Sequence, residues 1–250
     1  MSISETAHKN HEELFPDRKS KLMETDPELI EVFDNFAFDE VLAYGTLDAR
    51  TRLMVILASM IASQALGEYK VMLGGALNVG VIPIEVKEIL YQAVPYVGMA
   101  KVYDFILATN EIMESRGIKL PLEGQSTTTP ETRFEKGYTV QKRIVGDRPE
   151  KMYADSPANQ IHIQKYLSAN CFGDYVARNG IDLKIRELLT FSMLLSLGGC
   201  EPQLKGHIQG NLTVGNDKER MLSVVTQLFP YVGYPRTLNA IRCLNEVIPE

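Results

Sequence analysis

The 250-residue sequence contains no tryptophan, three cysteines and four histidines. Its cysteines, Cys171, Cys200 and Cys243, are odd in number, widely spaced and form no CxxC pair, which argues against a disulfide framework and favours a reducing compartment. No apolar run approaches the roughly 20 residues that span a bilayer. The polar first 20 residues show no apolar signal-peptide core. We therefore expect a cytoplasmic protein that does not associate with membranes.

Charge excludes a further class of function. Acidic residues outnumber basic ones by 32 to 26, the formal net charge is −6 and no basic run stands out, so a nucleic-acid partner is disfavoured. No metal-ligand spacing is present. The hydrophobic share of 45% is ordinary for a globular protein.

An internal repeat dominates the sequence. Residues 73–112 align without a gap with residues 208–247, at a constant offset that pairs Gly75 with Gly210 and Gln92 with Gln227. The run PYVG occurs in both stretches. Upstream, LDARTRLMVILASM resembles IDLKIRELLTFSML, with a slip of one residue before the second aligned stretch. The chain is therefore predicted to contain two related units.

Both units show the pattern of helices. Asp48 and Asp182 are suitable N-caps, and the segments that follow them are apolar nearly all round, as in buried helices. Gly80 and Gly215 stand where a helix should end, and PYVG is expected to break the helix that follows each of them. Alternation at period two is scarce, so we predict an all-α fold with two tandem helical units.

Residues 114–132, ESRGIKLPLEGQSTTTPET, are rich in Gly, Pro, Ser and Thr and are typical of a linker. We place the domain boundary here. Residues 1–124 form the first unit, with an N-terminal extension and the linker, and residues 125–250 form the second.

Between residues 132 and 247, four stretches carry a resemblance to a known family: RFEKGYTVQKRIVGD, CFGDYVARNGIDLKIRELLT, LGG with HIQGNLTVG, and PYVGYP. With these stretches the second unit resembles the γ-carboxymuconolactone decarboxylase family. The first unit resembles a more diverged copy. The resemblance implies the helical fold shared with the alkylhydroperoxidase D branch, and rings of trimer or hexamer type. For a fused double unit it implies a homotrimer that imitates a hexamer.

The resemblance also implies two kinds of chemistry. The decarboxylase converts γ-carboxymuconolactone to the β-ketoadipate enol-lactone, with loss of CO2 and without a cofactor. The peroxidase-like branch reduces hydroperoxides with a CxxC dithiol, while Glu and His relay protons. A small carboxylated lactone or organic acid is the expected partner in the first case.

Carried over residue by residue, the family site falls at Glu187, Cys200 and His207. The second cysteine of the peroxidase motif is Gln203, so the dithiol cycle lacks its resolving thiol. A one-cysteine cycle with an external thiol remains an alternative. Pro202 marks a helix start, where backbone amides lower a thiol pKa, whereas Glu201 opposes this.

A helix beginning near Pro202 aligns Gln203, His207 and Gly210 along one stripe. If the preceding helix folds back antiparallel, Glu187 lies near His207, and the two form a general acid/base pair. Alternatively, Glu187 has no catalytic role and forms an ion pair with Arg186 or Lys184 in the first turn of its own helix.

The remaining candidates concern substrate binding. A planar guanidinium suits a carboxylate, so Arg186 is a candidate to hold the substrate, or else a solvated arginine at a helix start. Gln203 lies on the same stripe as His207, and Tyr231 is expected either to line the pocket or to pack.

The first unit departs from the family pattern. His207 aligns with Met72, Cys200 with Ala65, Gln203 with Glu68, and Glu187 with Arg52 or Leu53. This unit is therefore expected to have a structural role and to form part of the wall of the other unit's active site. His8 and His11 are expected in a mobile, polar start.

The leading hypothesis is a cofactor-independent lyase with His207 as acid/base, Glu187 as its partner and Cys200 in the pocket. The alternatives are a single-cysteine peroxidase and a non-catalytic, ring-forming ligand-binding protein, because a fold does not determine an activity.

Overall fold

A computed structural model of the protein describes residues 2–16 and 18–249. Within these residues the regular structure is entirely helical, with thirteen α-helices, two π-helical segments and one 3-10 segment, and no strand. The predicted all-α fold is confirmed. None of the helices in the described ranges is both long enough and apolar enough to cross a membrane.

The two units contain similar elements in the same order. The first contains α1 (Glu5–Leu14), α2 (Leu22–Thr25), α3 (Pro27–Asn35), a π-helix (Phe36–Glu40), a 3-10 turn (Val41–Ala43), α4 (Ala49–Ser63), α5 (Leu66–Asn78), α6 (Pro83–Val97) and α7 (Met99–Ser115). The second contains α8 (Arg133–Val145), α9 (Arg148–Asp155), α10 (Ile161–Tyr166), a π-helix (Leu167–Val176), α11 (Leu183–Leu197), α12 (Glu201–Thr213) and α13 (Lys218–Val247).

The glycine of PYVG breaks the helix in both units. Gly98, with φ 93°, separates α6 from α7, and Gly233, with φ 77°, interrupts α13 at the equivalent place. These backbone angles lie in the region that favours glycine. The helix break predicted at each PYVG is therefore present.

The N-terminal residues are ordered helices rather than a mobile start. His11 lies in α1, and its ring packs against Phe15 at 5.0 Å and Phe38 at 5.2 Å between centroids. Its expected mobility is wrong because α1 packs against the π-helix of the first unit and has an apolar partner there.

Helices α4 and α11 form the centre of the molecule. Asp48 accepts a hydrogen bond from the amide of Thr51, and Asp182 accepts one from the amide of Ile185, so both predicted N-caps are present. The two helices are buried on almost every face and pack against each other. Ser59 and Ser196 meet at 2.7 Å between their hydroxyl oxygens. One hydrophobic core therefore runs through both units.

The one-residue slip of the repeat lies in the connections from α4 to α5 and from α11 to α12. After α4, Gln64 alone precedes the Ala65 N-cap of α5, whereas Gly198 and Gly199 precede the Cys200 N-cap of α12. The Asp48 and Asp182 caps therefore align with each other. It follows that Arg186 is equivalent to Arg52, and Glu187 to Leu53.

A buried ion-pair network joins α11 to α6. Arg186, with 0% of its surface exposed, donates to Glu88 Oε2 at 2.8 Å and to Gln92 Oε1 at 2.9 Å. Arg178 Nε lies 3.0 Å from the other oxygen of Glu88. The predicted contact of Arg186 with a substrate carboxylate is not supported, because its guanidinium is already bound to Glu88 and Gln92 between the two units.

Replacing Glu88 with glutamine should lower the free energy of unfolding by about 3 kcal/mol, because two guanidinium groups lose their shared buried carboxylate. Urea unfolding measures this loss. As a control, Glu246→Gln removes only exposed ion pairs, those with Lys205 and Arg242, and should leave stability nearly unchanged. A stable Glu88→Gln variant would show that the network does not depend on charge.

Candidate active site

A carboxylate and an imidazole meet between α11 and α12. Glu187 Oε2 lies 2.8 Å from Nδ1 of His207. The Glu187 side chain is 1% exposed and that of His207 is 15% exposed. The acid is thus enclosed in the protein, while the imidazole retains some contact with solvent. Their catalytic role stays a prediction, but the contact that such a role requires is present.

The backbone around the pair is shaped to hold the carboxylate. A Cβ atom at Gly210 would lie 2.7 Å from Glu187 Oε2 and 2.9 Å from a methyl group of Ile144, so a side chain there would displace the acid. Asn211 donates to the backbone oxygens of Glu187, at 3.0 Å, and of His207, at 2.8 Å. This buried amide fixes the two helices to each other beside the pair.

A tyrosine from the other unit completes the surroundings of His207. Tyr96, on α6, makes a T-shaped ring contact with His207 at 5.8 Å between centroids. Its hydroxyl is buried and has no well-aligned hydrogen-bond partner among the described residues, although Thr190 and Cys171 lie close. Burial, followed by the proximity of Cys171 and Glu187, raises its pKa well above the ordinary value. Tyr96 therefore remains a protonated donor.

Cys171 is the thiol that lies in this cluster. It is buried in the π-helix of the second unit. Burial raises its pKa to about 12, with Glu187 adding to the shift and a hydrogen bond involving Tyr96 opposing it. A thiol in this environment remains protonated at neutral pH, so it contributes packing rather than a thiolate.

Comparison with known proteins identifies the family of this chain. Residues 27–111 and 162–246 each match the model of the carboxymuconolactone decarboxylase family, and the two matches together cover more than half of the chain. The protein belongs to the carboxymuconolactone decarboxylase family. It is similar to a 4-carboxymuconolactone decarboxylase from Acinetobacter baylyi, with 25% identity over 122 aligned residues. The alignment covers 48% of this chain and 90% of that protein. The predicted membership, with two copies, is confirmed.

In the second carboxymuconolactone decarboxylase unit, Cys200 does not join the pair. It is the N-cap of α12, where its Sγ lies 3.2 Å from the Leu194 oxygen. His207 is two helical turns further along, about 10 Å in axial rise. Burial, then Glu201 and then Cys243, raise the Cys200 pKa. Of the two opposing influences expected from the sequence, the effect of Glu201 is therefore present, and burial adds to it.

The other two substrate-binding candidates, Gln203 and Tyr231, make no hydrogen bond or ring contact with the imidazole of His207 either. Gln203 is exposed on α12, one turn before His207. Tyr231 does not lie beside His207; it packs against Phe33 of the first unit, at 6.0 Å between ring centroids. Each PYVG tyrosine thus lies in the other unit: Tyr231 of α13 packs in the first unit, and Tyr96 of α6 lies at the Glu187–His207 pair of the second. The repeat identifies these tyrosines as equivalent, but sequence does not reveal the exchange.

A free cation lies against α12 at Gly206. Arg148, at the start of α9, is exposed, and no ion pair or hydrogen bond of its side chain occurs among the described residues. Its Nη1 lies 3.0 Å from where a Cβ of Gly206 would stand. Gly206 immediately precedes His207, so the missing side chain lets the guanidinium approach α12. The sequence analysis did not single out Arg148.

Alkylation of Cys200 by iodoacetamide should follow a pH midpoint above the value of about 8.5 usual for a free thiol, because a raised pKa leaves less thiolate at neutral pH. Mass spectrometry of the labelled peptide across pH gives the midpoint, and Cys200→Ser identifies the signal. The buried Cys171 and Cys243 should remain unlabelled in the folded protein. A midpoint below about 7.5 would contradict the environment described for Cys200.

Proposed function

We propose that the protein is a cofactor-independent lyase that decarboxylates a small carboxylated lactone of the γ-carboxymuconolactone type. The observation that carries the proposal is the 2.8 Å contact between His207 and the buried Glu187. A carboxylate enclosed in an apolar helix is costly unless it is paired, and this one pairs with the single side chain suited to proton transfer near neutral pH. Family membership supports the same chemistry.

The reaction requires one proton transfer at carbon. When the bond to the departing carboxylate breaks, its electron pair remains on the lactone ring, where it is conjugated with the lactone carbonyl. CO2 leaves, and a ring carbon then takes up one proton. We assign this proton delivery to His207. Glu187 acts through His207, because its carboxylate orients the ring and stabilises the imidazolium form.

Two further side chains suit the charges of this reaction. The negative charge that develops on the lactone carbonyl oxygen needs a hydrogen-bond donor held in place, and the Tyr96 hydroxyl is a buried donor with no well-aligned acceptor among the described residues. The substrate carboxylates need a cation, and Arg148 is exposed and unpaired beside α12. We therefore assign Tyr96 to the lactone carbonyl and Arg148, rather than the enclosed Arg186, to a carboxylate.

The thiol peroxidase alternative has less support. Peroxide reduction begins with a thiolate, and burial raises the pKa of both Cys200 and Cys171. Cys200 is also two helical turns from His207, which would have to relay its proton. The Glu187–His207 pair therefore favours acid/base chemistry over thiol chemistry.

We also propose that the chain assembles as a homotrimer. In support, α7 exposes an apolar stripe of Met99, Tyr103 and Leu107. The repeat-equivalent part of α13 exposes Tyr234 and Leu238, which correspond to the first two of these residues. Equivalent apolar faces on both units suit a ring in which the two units alternate.

Replacing His207 with asparagine should lower kcat for CO2 release from γ-carboxymuconolactone by about 10²–10⁴-fold, the usual contribution of general acid/base catalysis. The matched control is His162→Asn, because His162 is exposed on α10 and should be dispensable. No CO2 release by the unaltered protein, or full activity of His207→Asn, would refute the proposed function.

Replacing Tyr96 with phenylalanine removes one hydroxyl and should lower kcat by about 10²-fold, the loss typical of one oxyanion donor. Folding stability should not fall, since this buried hydroxyl has no well-aligned partner to lose. Tyr231→Phe makes the same change in the other unit and should retain activity. Equal kcat values for the two variants would overturn the role of Tyr96.

A further inference from the structure

The first unit contains a large cavity where the second unit holds its acid–imidazole pair. The cavity measures about 800 Å³ and lies between the N-terminal helices, α4, α5 and the PYVG segment of α13. Met72, equivalent to His207, and Tyr231, equivalent to Tyr96, both line it. The volume is within the range of about 300–1,000 Å³ typical of small-molecule sites. The family scaffold thus retains a pocket in the unit that lacks the Glu187–His207 pair.

The wall of this cavity is mainly apolar and rich in aromatic rings. Phe15, Phe33, Phe38 and Tyr231 contribute rings, and Met60 and Met72 add thioether side chains. The rings of Phe33 and Phe38 pack edge to face, as do those of Phe33 and Tyr231. Such a wall suits an apolar body, and ring faces attract cations.

Two carboxyl groups on this wall lack partners. Asp34, on α3, and Glu68, on α5, both line the cavity, and neither accepts a hydrogen bond nor forms an ion pair with a described residue. More than a third of the Glu68 surface is exposed, yet burial still raises its pKa, with Arg18 opposing and Asp34 adding to the shift. Burial likewise raises the pKa of Asp34, and His11 opposes it. A cationic ligand group would stabilise both carboxylates.

A cation of the protein itself already contacts the aromatic wall. The guanidinium of Arg18 lies 5.8 Å from the ring centroid of Phe15, and its charge acts on Glu68. Arg18, Lys19 and Lys21 are exposed, so solvent screens their charges. Arg18 thus shows that the wall accommodates a cation, and it would compete with a cationic ligand.

We propose that this cavity is a second ligand site, which binds a small organic ammonium ion with an aromatic or aliphatic body. The ammonium group lies between Asp34 and Glu68, and the body packs against the aromatic rings. The site is independent of the proposed decarboxylase function, because it shares no side chain with the Glu187–His207 pair. We expect it to prefer the opposite charge, since the carboxylates of Asp34 and Glu68 repel an anionic lactone and the cations of the same wall are exposed to solvent.

Isothermal titration calorimetry with three matched probes tests the charge preference. Phenethylammonium, uncharged 2-phenylethanol and anionic 3-phenylpropionate present the same ring with different end groups. The ammonium should bind at least about tenfold more tightly than the other two, as expected for a hydrogen bond to a charged partner. The proposal is overturned if the alcohol or the anion binds as tightly as the ammonium or more tightly. It is also overturned if the ammonium shows no binding at about 10 mM, a concentration at which even a weak ligand binds.

Variants then place the ligand in this cavity. Glu68→Gln and Asp34→Asn should each weaken ammonium binding by about tenfold, whereas Arg18→Ala should strengthen it by removing a competing cation. Glu111→Gln, an exposed acid on α7 outside the cavity, is the matched control and should bind as the unaltered protein does. His207→Asn should also leave binding unchanged, which separates this site from the decarboxylase proposal. Unchanged affinity in Glu68→Gln and Asp34→Asn, or weaker binding in Arg18→Ala, would contradict the assignment.

Discussion

A carboxylate buried in an apolar helix is the constraint on which the second unit depends. Glu187 is enclosed within α11, away from water, and its charge has to be compensated by the protein. His207 supplies the partner from α12, Gly210 leaves room for the carboxylate, and Asn211 ties the two helix backbones together. Much of the α12 sequence follows from the need to hold one acid against one imidazole.

The first unit shows the same scaffold without this constraint. Leu53 and Met72 stand where the acid and the imidazole would be, and both are buried in the common hydrophobic core. The equivalent glycine, Gly75, faces the ring of Phe15 instead of a carboxylate. Because the helices form equally well with apolar side chains at these places, the fold does not require the Glu187–His207 pair. This contrast supports a chemical role for the pair.

The two units depend on each other through the residues that cross between them. Glu88 and Gln92 of α6 hold the buried Arg186, and Tyr96 of the same helix reaches His207. A single helix of the first unit therefore contributes both to the stability and to the site of the second. This dependence gives the first unit a structural role although it lacks the acid and the imidazole.

Local patterns in the sequence predicted much of this structure. The repeat, the caps at Asp48 and Asp182, and the glycine of PYVG are features of neighbouring residues, and they located the main helices correctly. An antiparallel return of α12 onto α11 was enough to bring Glu187 near His207.

Contacts between distant helices were not predictable in the same way. The exchange of Tyr96 and Tyr231, the enclosure of Arg186 and the ordering of His11 depend on how the units pack together, which no local periodicity records. The burial that raises the pKa of Cys200 also depends on packing, whereas the effect of its neighbour Glu201 was expected from the sequence.

The central claim is that Glu187 and His207 act as one unit, and the state of the imidazole tests it most directly. If Glu187 is ionised, the hydrogen of neutral His207 must reside on Nδ1, the atom that faces it, which leaves Nε2 to exchange a proton with the substrate. Nitrogen-15 NMR of the side chain distinguishes the two tautomers, and His207→Asn assigns the signal. The account predicts the Nδ1–H form, lost in Glu187→Leu. An Nε2–H form, or a signal indifferent to Glu187, would contradict it.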